Sequence, residues 1–475
     1  MRWRRAAVLV ATAAVVGGGT AAHRPADEQQ PGVSTGVAVA EQAELVCPGD
    51  PLAGVDGLED VKTRVGTSAR ALDRSVVEEL IRPPADEGEL VLAPMQDGST
   101  TTGESGRAED DRRHPDGARV TATGQQAPGL VAAQLSSADS DDVAGLATTP
   151  CLTAAAEHWL VAGGGQAGRQ ERLLLVNPGD NAVSVDLEVV GAEGEDEQSE
   201  PAAGQDIVVP ASGRQAVLLD GITSTSSEAQ VVRVRASGGT VGAWVADRWV
   251  DGLSPSGLEV VPPTADPSSS VVLAGVPKGE KARLVVAAPG RRDAIVTVRS
   301  VESETARSVG VETIPAGSFR SVELPDGPEV RAVQLTSDEP VVAAAEVLGP
   351  VEDDRRDLAW TVAAPAAADL VGASLPELDT AGRRLVLTAP GEAAEVSVTT
   401  AEGGEASTRQ VSVDAERSTE ISLDGAEAVW LRQESDAAVH AAVTAIPDGD
   451  TAALSSAPLL PARVTERSVD VVPRP

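Results

Sequence analysis

The chain has 475 residues, 41% of them apolar, and a formal charge of −35. Such a length exceeds one ordinary domain and suggests three or four. So acidic a chain, with no basic stripe, is not expected to bind nucleic acid or to adhere to a surface of anionic lipid headgroups.

The first 22 residues have the layout of a secretory signal. "MRWRR" is basic, Ala6–Val16 is uncharged and apolar, and small residues follow in "GGGTAA". Cleavage is expected near Ala21 or Ala22. The uncharged stretch 6–22 falls short of the ~20 residues that span a bilayer. Residues 1–22 are therefore expected to be a signal peptide or an uncleaved N-terminal anchor, and the sole membrane contact. Residues 23–34 read as a flexible leader.

A strand-and-turn motif then recurs. "AELVCPGD" (43–50), "LLLVNPGD" (173–180), "RLVVAAPG" (283–290) and "RLVLTAPG" (384–391) align Pro48, Pro178, Pro289 and Pro390. A later Asp-Gly recurs as Asp116-Gly117, Asp220-Gly221, Asp326-Gly327 and Asp424-Gly425. Each is followed by two apolar runs read as a hairpin, as in "VRVRASGGTVGAWVA" and "VWLRQESDAAVHAAV". Three landmarks in one order predict four repeats: 35–151, 152–262, 263–365 and 366–461, with a loose tail at 462–475.

Within the second repeat, period-two alternation such as "VSVDLEV" predicts seven strands, near 158–162, 172–177, 183–190, 206–209, 215–219, 231–236 and 241–248. Seven short strands in about 100 residues is the pattern of an immunoglobulin-like sandwich. The predicted fold class is therefore all-β, a tandem array of immunoglobulin-like β-sandwich repeats. The Cys-Trp-Cys arrangement and the tyrosine corner are both missing. The connectors 152–171, 263–282 and 366–383 each carry a strand of the next repeat, so neighbours are joined closely, as a rod or compact row. In the first repeat, 96–117 is polar and aperiodic, as in a disordered surface insertion. "LDRSVVEELI" (72–81) puts Leu72, Val76 and Leu80 on one helical face.

Cys47 and Cys151 are the two cysteines and flank the first repeat. In an exported chain they are expected to pair, stapling the copy that has the longest insertion and no upstream neighbour.

Catalytic signals are sparse. His23, His114, His158 and His440 lie at no metal-ligand spacing, and no metal or other cofactor is expected. "AGGGQAGRQER" (162–172) lacks the Lys-Ser/Thr ending of a phosphate loop and reads as a connection between strands. No serine has a nucleophile-elbow context. The acidic runs "DSDD" (139–142), "GEDE" (194–197) and "VEDDRRD" (351–357) read as solvated loop charge and lack the ligand alternation of a Ca²⁺ loop. Trp244 and Trp249, five apart, fall on opposite strand faces: one in the core, the other exposed for contact with a glycan or a neighbouring domain.

The turn motif, the Asp-Gly landmark, the export signal and a composition typical of GC-rich genomes together resemble an actinobacterial exported family of uncharacterised function, from about Glu44 to Pro461. That resemblance implies an extracytoplasmic or envelope-attached protein and transfers no active site. The expected function is a non-catalytic cell-envelope scaffold, spacer or accessory interaction surface whose partner is an envelope protein or cell-wall glycan. A glycan-binding module is the alternative, and a carboxylate-dependent hydrolase a further one.

Overall fold

A computed structural model describes residues 32–472 except 59–60, 97, 193–201, 223–228, 326–329, 379–380 and 448–452. The export segment 1–22, residues 23–31 of the leader, the "GEDE" run and Asp326-Gly327 lie outside the described residues. The chain divides into two compact units, 1–38 with 465–475, and 39–464. In the smaller, Gly32–Val39 pairs with Thr465–Val472. The tail expected to be loose is thus a strand, as are the last three residues of the expected leader; both segments are rich in the β-branched residues that favour pairing.

The second repeat shows the unit from which the larger body is built. Its strands are Glu157–Ala162, Arg169–Asn177, Val183–Ala192, Ile207–Val209, Gly213–Leu218, Gln230–Ser237, Gly242–Asp251 and Ser254–Val261. They form two sheets, ordered first–sixth–third–fourth and fifth–second–seventh–eighth. Alternation drives the packing: Val183, Val185 and Leu187 point inward, while Ser184, Asp186 and Glu188 stay half-exposed. The other repeats keep this order, from Gln42–Cys47 to Ala144–Pro150, from Ser268–Pro277 to Leu358–Val362, and from Leu370–Ser374 to Ser455–Pro458. Second pairs with fifth and third with sixth, as in an immunoglobulin core. The first strand joins the sixth, however, and the seventh joins the second.

Two sequence landmarks need correction. The runs after each Asp-Gly are not hairpins, because the sixth and seventh strands belong to opposite sheets. In the third repeat they merge into one bent strand, Val330–Leu348, whose halves serve both sheets. The first Pro-Gly turn is also out of register. Asn177, Ala288 and Ala389 end second strands, whereas Cys47 ends a first strand and matches Ala162; the true counterpart ends at Arg70. Proline stops any strand that needs its N–H, so the motif marks a strand end without saying which one.

Residues 96–117 are not a disordered insertion. Thr101–Thr102 and Arg107–Asp110 are the fourth and fifth strands of repeat 1, and Arg107–Asp110 pairs with Thr67–Arg70. Arg112 Nε and His114 Nε2 close on Asp110 at 2.7 and 3.2 Å. The segment is polar because it forms a sandwich edge. The helical periodicity at 72–81 becomes the helix Arg74–Leu80, capped by Asp73, which accepts the Ser75 amide at 2.8 Å.

The four repeats do not form a rod. The eighth strands, Ala144–Pro150, Ser254–Val261, Leu358–Val362 and Ser455–Pro458, lie each against the next, and the last against the first. Repeat 4 thereby returns to repeat 1 and closes a ring. Large side chains seal the junctions. Trp244 packs with Val46, Ala147 and Leu152 between repeats 1 and 2. Trp430 packs with Leu72, Val77 and Val131 between repeats 4 and 1, its indole N–H donating to the Gly129 carbonyl at 2.7 Å.

One carboxylate stands where the four strands begin. Asp357 Oδ2 accepts the amides of Leu146 and Leu454 at 2.9 and 2.8 Å, and Oδ1 accepts that of Leu358 at 2.8 Å. The Leu258 amide faces the same carboxylate and favours its charged form. These leucines hold one equivalent position in the four repeats. The residues before them are Gly145, Gly257, Asp357 and Ala453, so three copies leave room and one fills it. A Cβ on Gly145 would stand 2.6 Å from Asp357 Oδ1 and 2.4 Å from the Leu258 nitrogen, so glycine is required there. Burial pushes the Asp357 carboxyl up, and the backbone amides around it pull it back towards the charged form.

Candidate functional site

Several buried charges tie repeats together. The densest group lies between repeats 2 and 3, where Arg169, on the second strand of repeat 2, has no exposed side-chain surface. Its guanidinium meets Asp247 at 2.5 Å and Glu346 at 2.6 Å, and sits 5.6 and 6.0 Å from the ring centroids of Trp249 and Trp360. The Trp360 indole donates to Asp247 at 2.8 Å. Arg283 of repeat 3 closes the chain on the other oxygen of Glu346. Despite burial, the three surrounding carboxylates raise the Arg169 pKa and keep it charged. The glycine-rich stretch 162–172 connects two strands over this group: Gly163 adopts φ 75°, and the Gly164 amide donates to Glu171 at 2.7 Å.

Above this tie opens a cleft of about 620 Å³. Trp249 and Gln166 form the repeat 2 wall, and Lys278, Lys281, Arg283 and Glu323 the repeat 3 wall. Trp249 is half-buried, and its N–H donates to the Ala167 carbonyl at 3.2 Å. Lys278 and Lys281 are exposed and make no ion pair with a described residue. They are two of only three lysines in the chain.

A second opening, of about 330 Å³, lies at the opposite ends of the eighth strands and takes its walls from all four repeats. Its lining is largely aliphatic, with His158, Asp266 and Arg463 as the ionisable groups. His158 Nε2 lies 2.7 Å from the Val241 carbonyl, and burial pushes its pKa down.

The structure places each expected site residue. Cys47 and Cys151 form a disulfide. Trp244 is wholly buried, so it offers no exposed contact, while Trp249 on the opposite face lines the cleft. The runs 139–142 and 351–357 meet through Arg355, which pairs with Asp139 and, at 2.9 Å, with Asp141. Glu171 has Asp220 beside it, and burial together with that carboxylate pushes Glu171 up. Neither of the two lines the cleft or the second opening. Sequence reasoning missed Lys278 and Lys281; two lysines within four residues of a lysine-poor chain were the available signal.

Fold and openings together define a ring of four β-sandwiches with a polar cleft at one junction and an apolar well on the axis. The chain belongs to DUF5719, a family of unknown function, matched over residues 104–424. No curated protein matches it. It is similar to the crystal structure of a tetra-tandem repeat in the extending region of a large adhesion protein. Identity is 14%, over 86% of this chain and 98% of that one, and the TM-score of 0.14 carries no argument.

Proposed function

We propose that the protein is a non-catalytic interaction scaffold of the cell envelope, exported by residues 1–22 and either released or left anchored by them. One observation carries this reading. The buried carboxylates Asp357, Asp247 and Glu346 are engaged in ties between repeats, while exposed Lys278 and Lys281 stand with half-buried Trp249 at one cleft. The disulfide fits an oxidising compartment. Among the described residues no helix is long and apolar enough to cross a membrane.

An envelope protein is the first choice of partner. A cell-wall glycan is the second reading, favoured by Trp249, since an aromatic face suits a sugar ring and flanking ammonium groups suit its acidic substituents. The test is binding of the full chain to solubilised envelope proteins and, separately, to purified cell-wall polysaccharide. Trp249→Ala and a Lys278→Ala/Lys281→Ala double variant run alongside. Binding of either material that the variants weaken at least tenfold supports the cleft. Binding indifferent to all three substitutions, or confined to cytoplasmic proteins, refutes it.

A further inference from the structure

The axial well exists only because the ring closes. The chain leaves its eighth strands through Pro150, Pro263, Pro365 and Pro458, and all four prolines line the well. Proline carries no N–H, so these strand exits bring few backbone donors to the wall. Between them stand aliphatic side chains such as Leu45, Leu152, Val443 and Leu460. Water inside such a wall finds few partners, which favours an apolar occupant. At ~30 Å³ for each water- or methylene-sized group, 330 Å³ takes roughly ten of them.

The rim has polarity of one useful kind. Arg463, just past repeat 4, is exposed there and makes no ion pair with a described residue. Asp266 stands at the start of repeat 3, where its charge acts on His158. We infer that the well binds a single acyl chain of about ten to twelve carbons that bears an anionic head, with the chain among the prolines and the head on Arg463. This site is separate from the cleft between repeats 2 and 3, so either can fail without the other.

Calorimetric titration of the full chain with dodecanoate, dodecyl phosphate and dodecanol tests the inference. Dodecanoate and dodecyl phosphate distinguish a carboxylate head from a phosphate head, and dodecanol measures the chain alone. Saturable one-to-one binding of at least one anionic amphiphile below about 1 mM is expected. Arg463→Glu weakens it about tenfold and leaves dodecanol unchanged. Thr153 is exposed at the rim, so Thr153→Trp blocks the mouth without touching the core; Ala265→Trp is a second plug, from repeat 3. Both plugs are expected to abolish binding, the Thr153 plug with an unchanged melting temperature. No binding of any of the three, or binding that survives both plugs, overturns the well as a site. Equal affinity for dodecanol and the two anions, or indifference to Arg463→Glu, overturns the role given to the head group.

Discussion

Asp357→Asn is the sharpest perturbation of the ring. It keeps the size of the side chain and replaces one acceptor oxygen by a nitrogen that only donates. With that nitrogen in the Oδ2 position, the amides of Leu146 and Leu454 lose their acceptor; in the Oδ1 position, the Leu358 amide loses its own. A buried N–H left without a partner costs about 1–3 kcal/mol. Asparagine is therefore expected to destabilise by about 1–3 kcal/mol where one amide is orphaned and by about 2–6 kcal/mol where two are. Asp357→Ala orphans all three, and about 3–9 kcal/mol is comparable with the whole stability of many domains. Denaturation in urea, followed by tryptophan fluorescence, reads the loss. Trp360 is three positions from the substituted residue and fully buried, so it reports on this region. An asparagine variant whose midpoint corresponds to within about 0.5 kcal/mol of wild type would refute the reading of Asp357 as the joint of four repeats.

Two further outcomes follow from the same coordinates. Cys47→Ser/Cys151→Ser opens a cross-link between positions 104 apart and is expected to cost about 2–5 kcal/mol, read as a lowered urea midpoint; an unchanged midpoint counts against any stabilising role for the bridge. Burial pushes the His440 pKa below its usual 6.5, against the hydrogen bond it makes to the Ala364 carbonyl. Below about 6.5 the unfolded chain therefore takes up a proton that the fold resists, and stability falls as pH drops through that value. His440→Asn keeps a donor near Ala364 without titrating, so its stability relative to wild type is expected to rise between pH 7 and 5. A relative stability that stays constant over that range contradicts the assignment.

The strands of repeat 2 were largely legible because half-buried strands advertise themselves by alternation. The eighth, Ser254–Val261, was not. All but its first residue are buried, which erases the period, and Ser, Pro and Gly open it like a loop. Pairing was harder to read than existence. Two apolar runs joined by a short connection suit a hairpin or a crossing between sheets equally well, and only the packed sandwich decides. Asp357 was hidden among the acidic residues of 351–357, where Asp353 and Asp354 remain exposed. No local property separates it from them. What distinguishes it is its place before the leucine that the other repeats precede with Gly145, Gly257 and Ala453. Trp249 was found because five residues along a strand reverse the face. The lysines beside it belong to another repeat, and sequence reading had no means of bringing the two walls together.

A carboxylate can accept several donors at once, and here Asp357 accepts amides from three copies of the same unit and faces an amide of the fourth. Copy number is thereby tied to the packing at the centre. A linear stack of modules can lengthen or shorten by duplication, since each module meets only its neighbours. A closed ring cannot do so freely, because a fifth copy would part eighth strands that now meet last against first, and the loss of one would leave a gap in the wall. Variation among relatives is therefore expected in loops and faces, with the number of sandwiches held constant.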